Sequence, residues 1–413
     1  MLVNYLKIAI AVLKRRKFFT FISLFGISFS LGILIVLASI ADNALNNGYP
    51  DTNRERELYV HRLRLRSTTS GSDINGGPSF YFFEQYVSKL KTQEKLALCS
   101  GTSHTSSYTK SKKLSINMIY TNEEYWEVFT FKFIEGKPYN KQQLDNGEKT
   151  AVITESTRNN YFGDGISAIG KYIETDNIQY RVSGVVQDPP VVNRFAYADI
   201  YVPYTLSKTN VHNPDISGNY SGILLLRSKD DIGKMKEEYN QMAAKLPAYN
   251  KEFDIIQTSA DTYLEFFGRN FIDSHSDDRS LGKFFLLIGL FIFLFLLLPT
   301  LNLVNINISR IMDRFSEIGV RKAFGASSKT LVWQFIIENL ILTLLGGALG
   351  ILFSFIAIQI INSTTLFDGV QLVISFNVFL FSLLACIFFG LMSGVYPAWR
   401  MSRMNVVTAL KAQ

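Results

Sequence analysis

The sequence predicts an α-helical membrane protein with four transmembrane helices and one large α+β domain outside the membrane. Three observations support this fold class. Long apolar runs lie near both ends of the 413-residue chain, and the stretch between the first two runs has the mixed composition of a water-soluble domain. The Lys and Arg residues beside the runs give every loop a consistent orientation.

The four apolar runs are each about as long as a transmembrane helix. A bilayer core about 30 Å thick is crossed by roughly 20 apolar residues in a helix, which places the predicted spans at 18–40, 284–308, 331–361 and 378–396. Buried helices of a soluble protein are the alternative, and four such runs in one chain argue against it. The first run also exceeds the roughly 7–15 apolar residues of a signal peptide, so we expect it to remain as a span.

Lys and Arg residues determine the predicted orientation. They are frequent in segments 1–17, 309–330 and 397–413, whereas the loop between the third and fourth spans has neither. Basic residues accumulate on the cytoplasmic side of spans. Both termini and the 309–330 loop are therefore predicted to be cytoplasmic, and residues 41–283 to lie outside. The same rule accounts for the net charge of +7 without a nucleic-acid partner.

Small residues within the spans predict a close contact between helices. Ser28 and Gly32 are four residues apart, as are Gly346 and Gly350, and Gly347 widens the second patch. Small side chains at this spacing let helix backbones approach each other; glycines that merely face lipid are the alternative.

Two other residues within the spans are unusual. Pro299 predicts a kink or a local break in the second span. Glu338 is costly within a bilayer, but the third run is too long for one perpendicular span. Glu338 is therefore expected near the headgroups or in a helix–helix contact. A role in a proton relay is less favoured, because no second ionisable residue accompanies it in the run.

The outer domain 41–283 shows the pattern of a split ferredoxin-like porter module with an insertion. Ser79 is predicted to cap a helix that carries Phe83, Val87 and Leu90, and Asp230 and Asp231 open a second helix. Strands are predicted at 57–66, 96–100, 222–227 and 253–257. The insertion, about 115–215, is predicted to be a small, mostly β subdomain with strands at 151–154, 171–174 and 180–186.

The residues present predict neither an enzyme nor a metal site. The four histidines have no metal-ligand spacing, and the HExxH, GxSxG and CxxC patterns are absent. Residues 325–330, GASSKT, lack the second glycine and the preceding strand of a phosphate-binding loop. We therefore expect no cofactor in this chain, with ATP bound by a partner. A disulfide between Cys99 and Cys386 is not expected, because Cys386 lies in an apolar run.

The cytoplasmic loop 309–330 can form a short amphipathic helix. Its apolar residues Ile311, Phe315, Ile318 and Phe324 are separated by charged ones. Such a helix either rests at the membrane surface or docks into a groove on a cytoplasmic partner. The pattern alone does not favour one of these interpretations over the other.

Several motifs in order along the chain resemble the permeases of the MacB/FtsX-like ABC transporter superfamily. The motifs are EIGVRKAFGA at 317–326, QFIIE at 334–338, GGALG at 346–350, YPAWR at 396–400 with TALK at 408–411, and the outer-domain stretches 152–171 and 180–188. The resemblance covers essentially the whole chain. Trp399 departs from it, because the family commonly has a small or basic residue there.

The resemblance implies a type VII ABC architecture, in which two four-span permeases assemble with two cytoplasmic ATPase subunits. The second permease is either a copy of this chain or a related one. ATP-driven closure of the ATPases moves the periplasmic domains, a process called mechanotransmission. Only 17 residues precede the first span, so the P-loop ATPase is expected to be a separate polypeptide. The residues implied at the ATPase contact are Glu317, Ile318, Arg321, Lys322 and Gly325.

The family resemblance also implies a multi-pass protein of the bacterial inner membrane with a periplasmic domain. Three functions are open within the superfamily. The preferred one is efflux of a peptide, drug or toxin with a periplasmic adaptor and an outer-membrane channel. Release of lipoproteins and FtsX-like, non-transporting control of a cell-wall hydrolase are the alternatives. The size of the outer domain favours the first two.

Overall fold

The computed structural model describes residues 17–108, 113–272, 280–313, 320, 324, 327–364 and 372–402. The chain divides into two compact units. The helical unit contains residues 1–43, 285–365 and 371–413, and the outer unit contains residues 44–284 and 366–370.

Ten helices and fourteen strands are assigned within the described residues. In chain order the helices are α1 Lys17–Leu45, α2 Phe80–Gln85, α3 Tyr125–Val128, α4 Lys141–Asp145, α5 Glu155–Phe162, α6 Ile232–Ala243, α7 Tyr263–Ile272, α8 Ser280–Asp313, α9 Ser328–Ser363 and α10 Phe376–Ser402. The strands are β1 Glu57–Val60, β2 Leu63–Arg66, β3 Asp73–Pro78, β4 Gln93–Ser100, β5 Ser103–Tyr108, β6 Lys113–Thr121, β7 Phe133–Gly136, β8 Thr150–Thr154, β9 Tyr172–Thr175, β10 Ile178–Val186, β11 Ile200–Pro203, β12 Ser217–Gly218, β13 Tyr220–Leu226 and β14 Ile255–Thr258.

The four longest helices, α1, α8, α9 and α10, carry the four apolar runs. Two of them are long and apolar enough to cross a bilayer over their described residues, at Thr20–Asn43 and Val332–Ser363. The described parts of α8 and α10 contain the shorter apolar stretches Leu281–Phe295 and Phe376–Ala385. The presence of four spans therefore stays a prediction.

The outer unit is built on a large mixed sheet and a smaller antiparallel one. The large sheet has the order β1-β13-β4-β6-β11-β8-β10-β7, with β5 beside β6 and β9 beside β10. The small sheet has the order β12-β3-β2-β14. Three apolar clusters fill the unit, and the first contains buried side chains from both the ferredoxin-like part and the insertion, including Tyr59, Ile223, Tyr125 and Tyr201.

The ferredoxin-like strand order is present, but its first strand is divided. β14 pairs with β2, β1 pairs with β13 and β13 pairs with β4, all antiparallel. Treating β1 and β2 as one strand gives the order 4-1-3-2 of a split βαβ fold. The prediction of a single strand over 57–66 is wrong, because the chain leaves the large sheet after Val60 and joins the small one at Leu63. This break matters for the cavity described below.

The insertion continues the large sheet instead of forming a separate β subdomain. β6 pairs with β4 through Cys99 and Thr121, and β11 extends the sheet on the other side of β6. The insertion also contains α3, α4 and α5. The prediction of a small, mostly β subdomain therefore needs correction, since backbone hydrogen bonds and a shared apolar cluster join it to the rest.

The predicted cap at Ser79 accounts for where α2 begins. Ser79 accepts a hydrogen bond from the Phe82 backbone N–H and so caps α2. This helix ends at Gln85, and a separate 3₁₀ turn, Val87–Lys89, follows. Met235 and Tyr239 on α6 are buried, as their helical spacing predicts.

Candidate functional site

The predicted ATPase contact lies outside the described residues. This applies to all five of its residues, Glu317, Ile318, Arg321, Lys322 and Gly325. Their role remains a prediction. The structure instead describes the small-residue contact in the helical unit and the segments through which the chain enters and leaves the outer domain.

The structure brings the predicted small residues together where α1 packs against α9. A Cβ atom on Gly350 would lie 3.0 Å from the Ser28 carbonyl oxygen, and one on Gly32 would lie 3.3 Å from the Gly350 carbonyl oxygen. A Cβ atom on Gly346 would lie 2.7 Å from Ile27 Cγ2. The two backbones are close enough that a larger residue at these positions would displace one of the helices.

Gly347 and Pro299 are two further helix positions predicted from the sequence. Gly347 lines a cavity of about 140 Å³ together with Leu31 of α1 and Phe379 of α10. Pro299 lies within α8, which continues from Ser280 to Asp313. The predicted kink at Pro299 stays a prediction.

Glu338 is accompanied by other buried polar side chains on α9. Glu338 is 4% exposed, and Gln334, Asn339 and Thr343 are buried as well. The Thr343 hydroxyl donates a hydrogen bond to the Asn339 carbonyl oxygen at 2.9 Å. Burial of all four residues inside the helical unit is what a helix–helix contact requires. The sequence analysis missed the three polar neighbours, because uncharged polar residues do not interrupt an apolar run.

A buried cluster of charged and phenolic groups lies where the chain enters the outer domain. We call it the foot cluster: Asp51, Arg54, Glu57, Tyr59 and Tyr263. Arg54 Nε donates to Asp51 Oδ2 at 2.9 Å, and Arg54 Nη1 donates to the Asn46 carbonyl oxygen at 2.6 Å. The guanidinium carbon lies 3.9 Å from the centroid of the Tyr263 ring, an arrangement in which a cation is attracted by the ring face.

The foot cluster contains two carboxyl groups but only one cation. The Tyr59 hydroxyl lies 2.7 Å from Glu57 Oε2 and 3.0 Å from Asp51 Oδ2. Burial, followed by the charge of Asp51, raises the pKa of Glu57 well above its ordinary value. The raised pKa favours the protonated form of Glu57, whereas Asp51 is the carboxyl group that pairs with Arg54.

Backbone hydrogen bonds tie the exit of the outer domain to the same place. The Tyr59 N–H donates to the Asp261 carbonyl oxygen at 2.7 Å, and the Asp261 N–H donates to the Tyr59 carbonyl oxygen at 3.0 Å. The Asp261 carboxylate lies 3.2 Å from Arg269 Nε on α7, and Lys236 on α6 pairs with Glu265. The segment after α1 and the segment before α8 are thus joined to each other and to β1.

The sequence analysis did not find the foot cluster. Asp51, Arg54 and Glu57 lie near one another in sequence, but a loop with alternating charges is typical of an exposed segment. The ring of Tyr263, which Arg54 contacts, lies some two hundred residues away in sequence, so only the fold shows the set to be buried. The three-residue spacing of Asp51 and Arg54 was the one local signal.

Two protein families match this chain. Residues 20–242 match the MacB-like periplasmic core domain, and residues 289–406 match the FtsX-like permease C-terminal region. Among curated relatives, the macrolide export ATP-binding/permease protein MacB of Salmonella typhimurium is 24% identical over 393 residues, which cover 92% of this chain and 57% of that protein. The MacB protein of Pasteurella multocida is 25% identical over 292 residues, or 71% of this chain and 42% of that protein. The chain thus spans about half the length of these relatives.

Solved structures of periplasmic or extracellular domains are also similar to this chain. The periplasmic region of MacB from Actinobacillus actinomycetemcomitans has 14% identity and a TM-score of 0.37, covering 54% of this chain and 94% of that one. The extracellular domain of the noncanonic ABC-type transporter YknZ has 16% identity and a TM-score of 0.36, covering 48% of this chain and 98% of that one.

Proposed function

This chain belongs to the MacB/FtsX-like family of ABC transporter permeases, and we propose that it transmits ATP-driven motion to its periplasmic domain. In this proposal the cytoplasmic loop 309–330 receives the motion from an ATPase. The four apolar runs cross the inner membrane, with both termini in the cytoplasm. The outer domain is then the part that is moved.

The observation that carries this proposal is the joining of both ends of the outer domain at the foot cluster. Residues 46–59 and 261–269 are connected by the paired hydrogen bonds of Tyr59 and Asp261 and by the Arg54 guanidinium, which lies over the Tyr263 ring. A displacement of residues 46–59 or of residues 261–269 is therefore passed directly to β1.

The ATPase of the proposed transporter lies outside these 413 residues. The 413 residues contain no phosphate-binding loop, so hydrolysis must depend on residues outside them. The curated relatives are named ATP-binding/permease proteins. That description applies to those relatives. In this chain Glu317, Ile318, Arg321, Lys322 and Gly325 are proposed to dock the ATPase, and a second permease, identical or related, completes the assembly.

Efflux is the proposed outcome of the motion. Curated relatives are named for macrolide export, and we extend from that name only the class, a peptide, drug or toxin. Export would proceed with a periplasmic adaptor and an outer-membrane channel. Recovery of a cell-wall hydrolase or of lipoproteins in place of an adaptor would favour the regulatory or the lipoprotein-releasing alternative.

Copurification tests the coupling proposal. The full chain is purified in several mild detergents, and the proteins that accompany it are identified by mass spectrometry. We expect a separate P-loop ATPase, and we expect Glu317→Ala and Arg321→Ala to reduce its recovery at least tenfold, because each removes a charge from the proposed docking helix. Arg16→Ala, which removes a cytoplasmic cation outside that loop, is the control and should leave recovery unchanged. Equal recovery with all three variants would show that the loop is not the docking element.

A further inference from the structure

A cavity of about 530 Å³ opens in the outer unit where β1 ends and β2 begins. Its lining includes His61 and Arg62, the two residues that separate these strands, as well as Arg64, Arg194, Asn219 and Gln257. The volume is within the range of roughly 300–1,000 Å³ that is usual for small-molecule sites. The cavity thus lies at the point where the first strand is divided.

The charge of this cavity is positive. Three arginines line it, and no Asp or Glu is among the described residues of its lining. Arg64 pairs with Asp73, which lies outside the lining, and Arg62 donates from Nη2 to the neutral Asn270 Oδ1 at 2.6 Å. Arg194 is exposed and forms no ion pair within the part of the chain that the structure describes.

Burial and the neighbouring arginines both act on His61. Burial, followed by the charges of Arg62 and Arg194, lowers the pKa of His61 to about 3. His61 is thus neutral near pH 7 and does not add to the charge itself. The arginine charges that oppose a positive charge on His61 would favour a negative group beside it.

Buried polar atoms of the lining also lack partners. Gln257 Oε1 and Arg64 Nε are each buried without a hydrogen bond within the described residues. A buried donor or acceptor left unpaired destabilises the folded state. A ligand with an oxyanion and a neighbouring hydroxyl or N–H group would supply what both atoms lack.

We propose that this cavity binds an anionic small molecule through a phosphate or carboxylate group held by Arg194 and Arg62. Arginine suits such a group, because its planar fork of donors matches two oxygens at once. The site lies entirely in the outer domain and does not depend on the proposed coupling to an ATPase. Its ligand is either a free soluble anion or the headgroup of an anionic lipid, which share this chemistry.

Calorimetric titration of the full chain in a neutral detergent tests the proposal. Three probes are used: inorganic phosphate, citrate and dihexanoyl phosphatidylglycerol. Arg194→Gln removes the exposed cation of the cavity, and Arg227→Gln removes an exposed arginine outside its lining. We expect saturable binding of at least one probe, weakened at least tenfold by Arg194→Gln and unchanged by Arg227→Gln.

The pattern across probes identifies the source of the anion. Binding of phosphate or citrate supports a soluble ligand, and binding of the lipid alone supports a headgroup. Three results would overturn the proposal: no saturable binding of any probe, binding that neither variant weakens, or equal weakening by both variants. An unchanged unfolding temperature for both variants shows that a loss of binding is not a loss of fold.

Discussion

Asp51 and Glu57 are neighbours in the foot cluster, but they differ in what they contribute to the charge balance. Arg54 is buried and its Nε donates to Asp51. Glu57 has a raised pKa and shares the Tyr59 hydroxyl with Asp51. Removing the charge of Asp51 therefore leaves a buried cation uncompensated, whereas an amide at position 57 closely resembles the protonated acid.

We therefore predict that Asp51→Asn and Glu57→Gln, chemically matched changes, have very different effects. Asp51→Asn should lower the free energy of unfolding of the outer domain by about 3 kcal/mol, the usual cost of breaking a buried ion pair. Glu57→Gln should lower it by less than about 1 kcal/mol, because the amide oxygen still accepts from Tyr59.

Trp126 fluorescence during urea unfolding measures these free energies, because Trp126 packs against the first apolar cluster of the outer unit. The other two tryptophans, Trp333 and Trp399, are first replaced by Phe so that only the outer domain is observed. A larger loss from Glu57→Gln than from Asp51→Asn would mean that Glu57 carries the charge that neutralises Arg54.

The contact between α1 and α9 depends on the absence of side chains. At Gly350 an added Cβ atom would meet the backbone carbonyl of Ser28, which cannot rotate away as a side chain can. By contrast, nothing lies within 4 Å of the corresponding position on Gly289 of α8. The two glycines thus provide a test and a control within the same helical unit.

We predict that Gly350→Ala destabilises the helical unit by about 1–3 kcal/mol, the usual cost of overpacking. Gly289→Ala should be neutral or slightly stabilising, because Ala favours helix more than Gly does. The thermal unfolding midpoint of the full chain in detergent should fall for the first variant and not for the second. A fall of equal size in both would show that α1 and α9 are not in close contact.

Spacing within one element was readable from the sequence, but pairing between elements was not. Ser28, Gly32, Gly346 and Gly350 were found because a four-residue spacing indicates one face of a helix. The division of 57–66 was missed, since Glu57–Arg66 reads as one strand and only its partners β13 and β14 separate it into two. The insertion is attached through the long-range pair of Cys99 and Thr121. The local sequence pattern does not predict which strands form this pair.

The whole chain combines a permease region and a periplasmic core domain that have separate cores. The helical unit is organised by small residues and buried polar groups on α9. The outer unit is organised by mixed sheets, by the foot cluster that joins its two ends and by the positive cavity. In the proposed function the helical unit receives the motion and passes it to the outer unit. This proposal requires the chain to cross the membrane four times.

The topology can be tested by labelling single cysteines with a membrane-impermeant maleimide. Cys99→Ala and Cys386→Ala provide the background, and one cysteine at a time replaces Lys245, Lys329, Gly369 or Lys411. We predict that positions 245 and 369 react when only the outer membrane is permeabilised. Positions 329 and 411 should react only after the inner membrane is opened as well.

Position 369 gives the most informative result. The loop between the third and fourth runs has no Lys or Arg, whereas the segments at 309–330 and 397–413 are rich in them, so the positive-inside rule places this loop outside. Labelling of 369 from outside, with 411 protected, requires α10 to cross the bilayer. Labelling of 411 from outside would instead leave an odd number of crossings. The tail would then lie in the periplasm, away from any cytoplasmic ATPase.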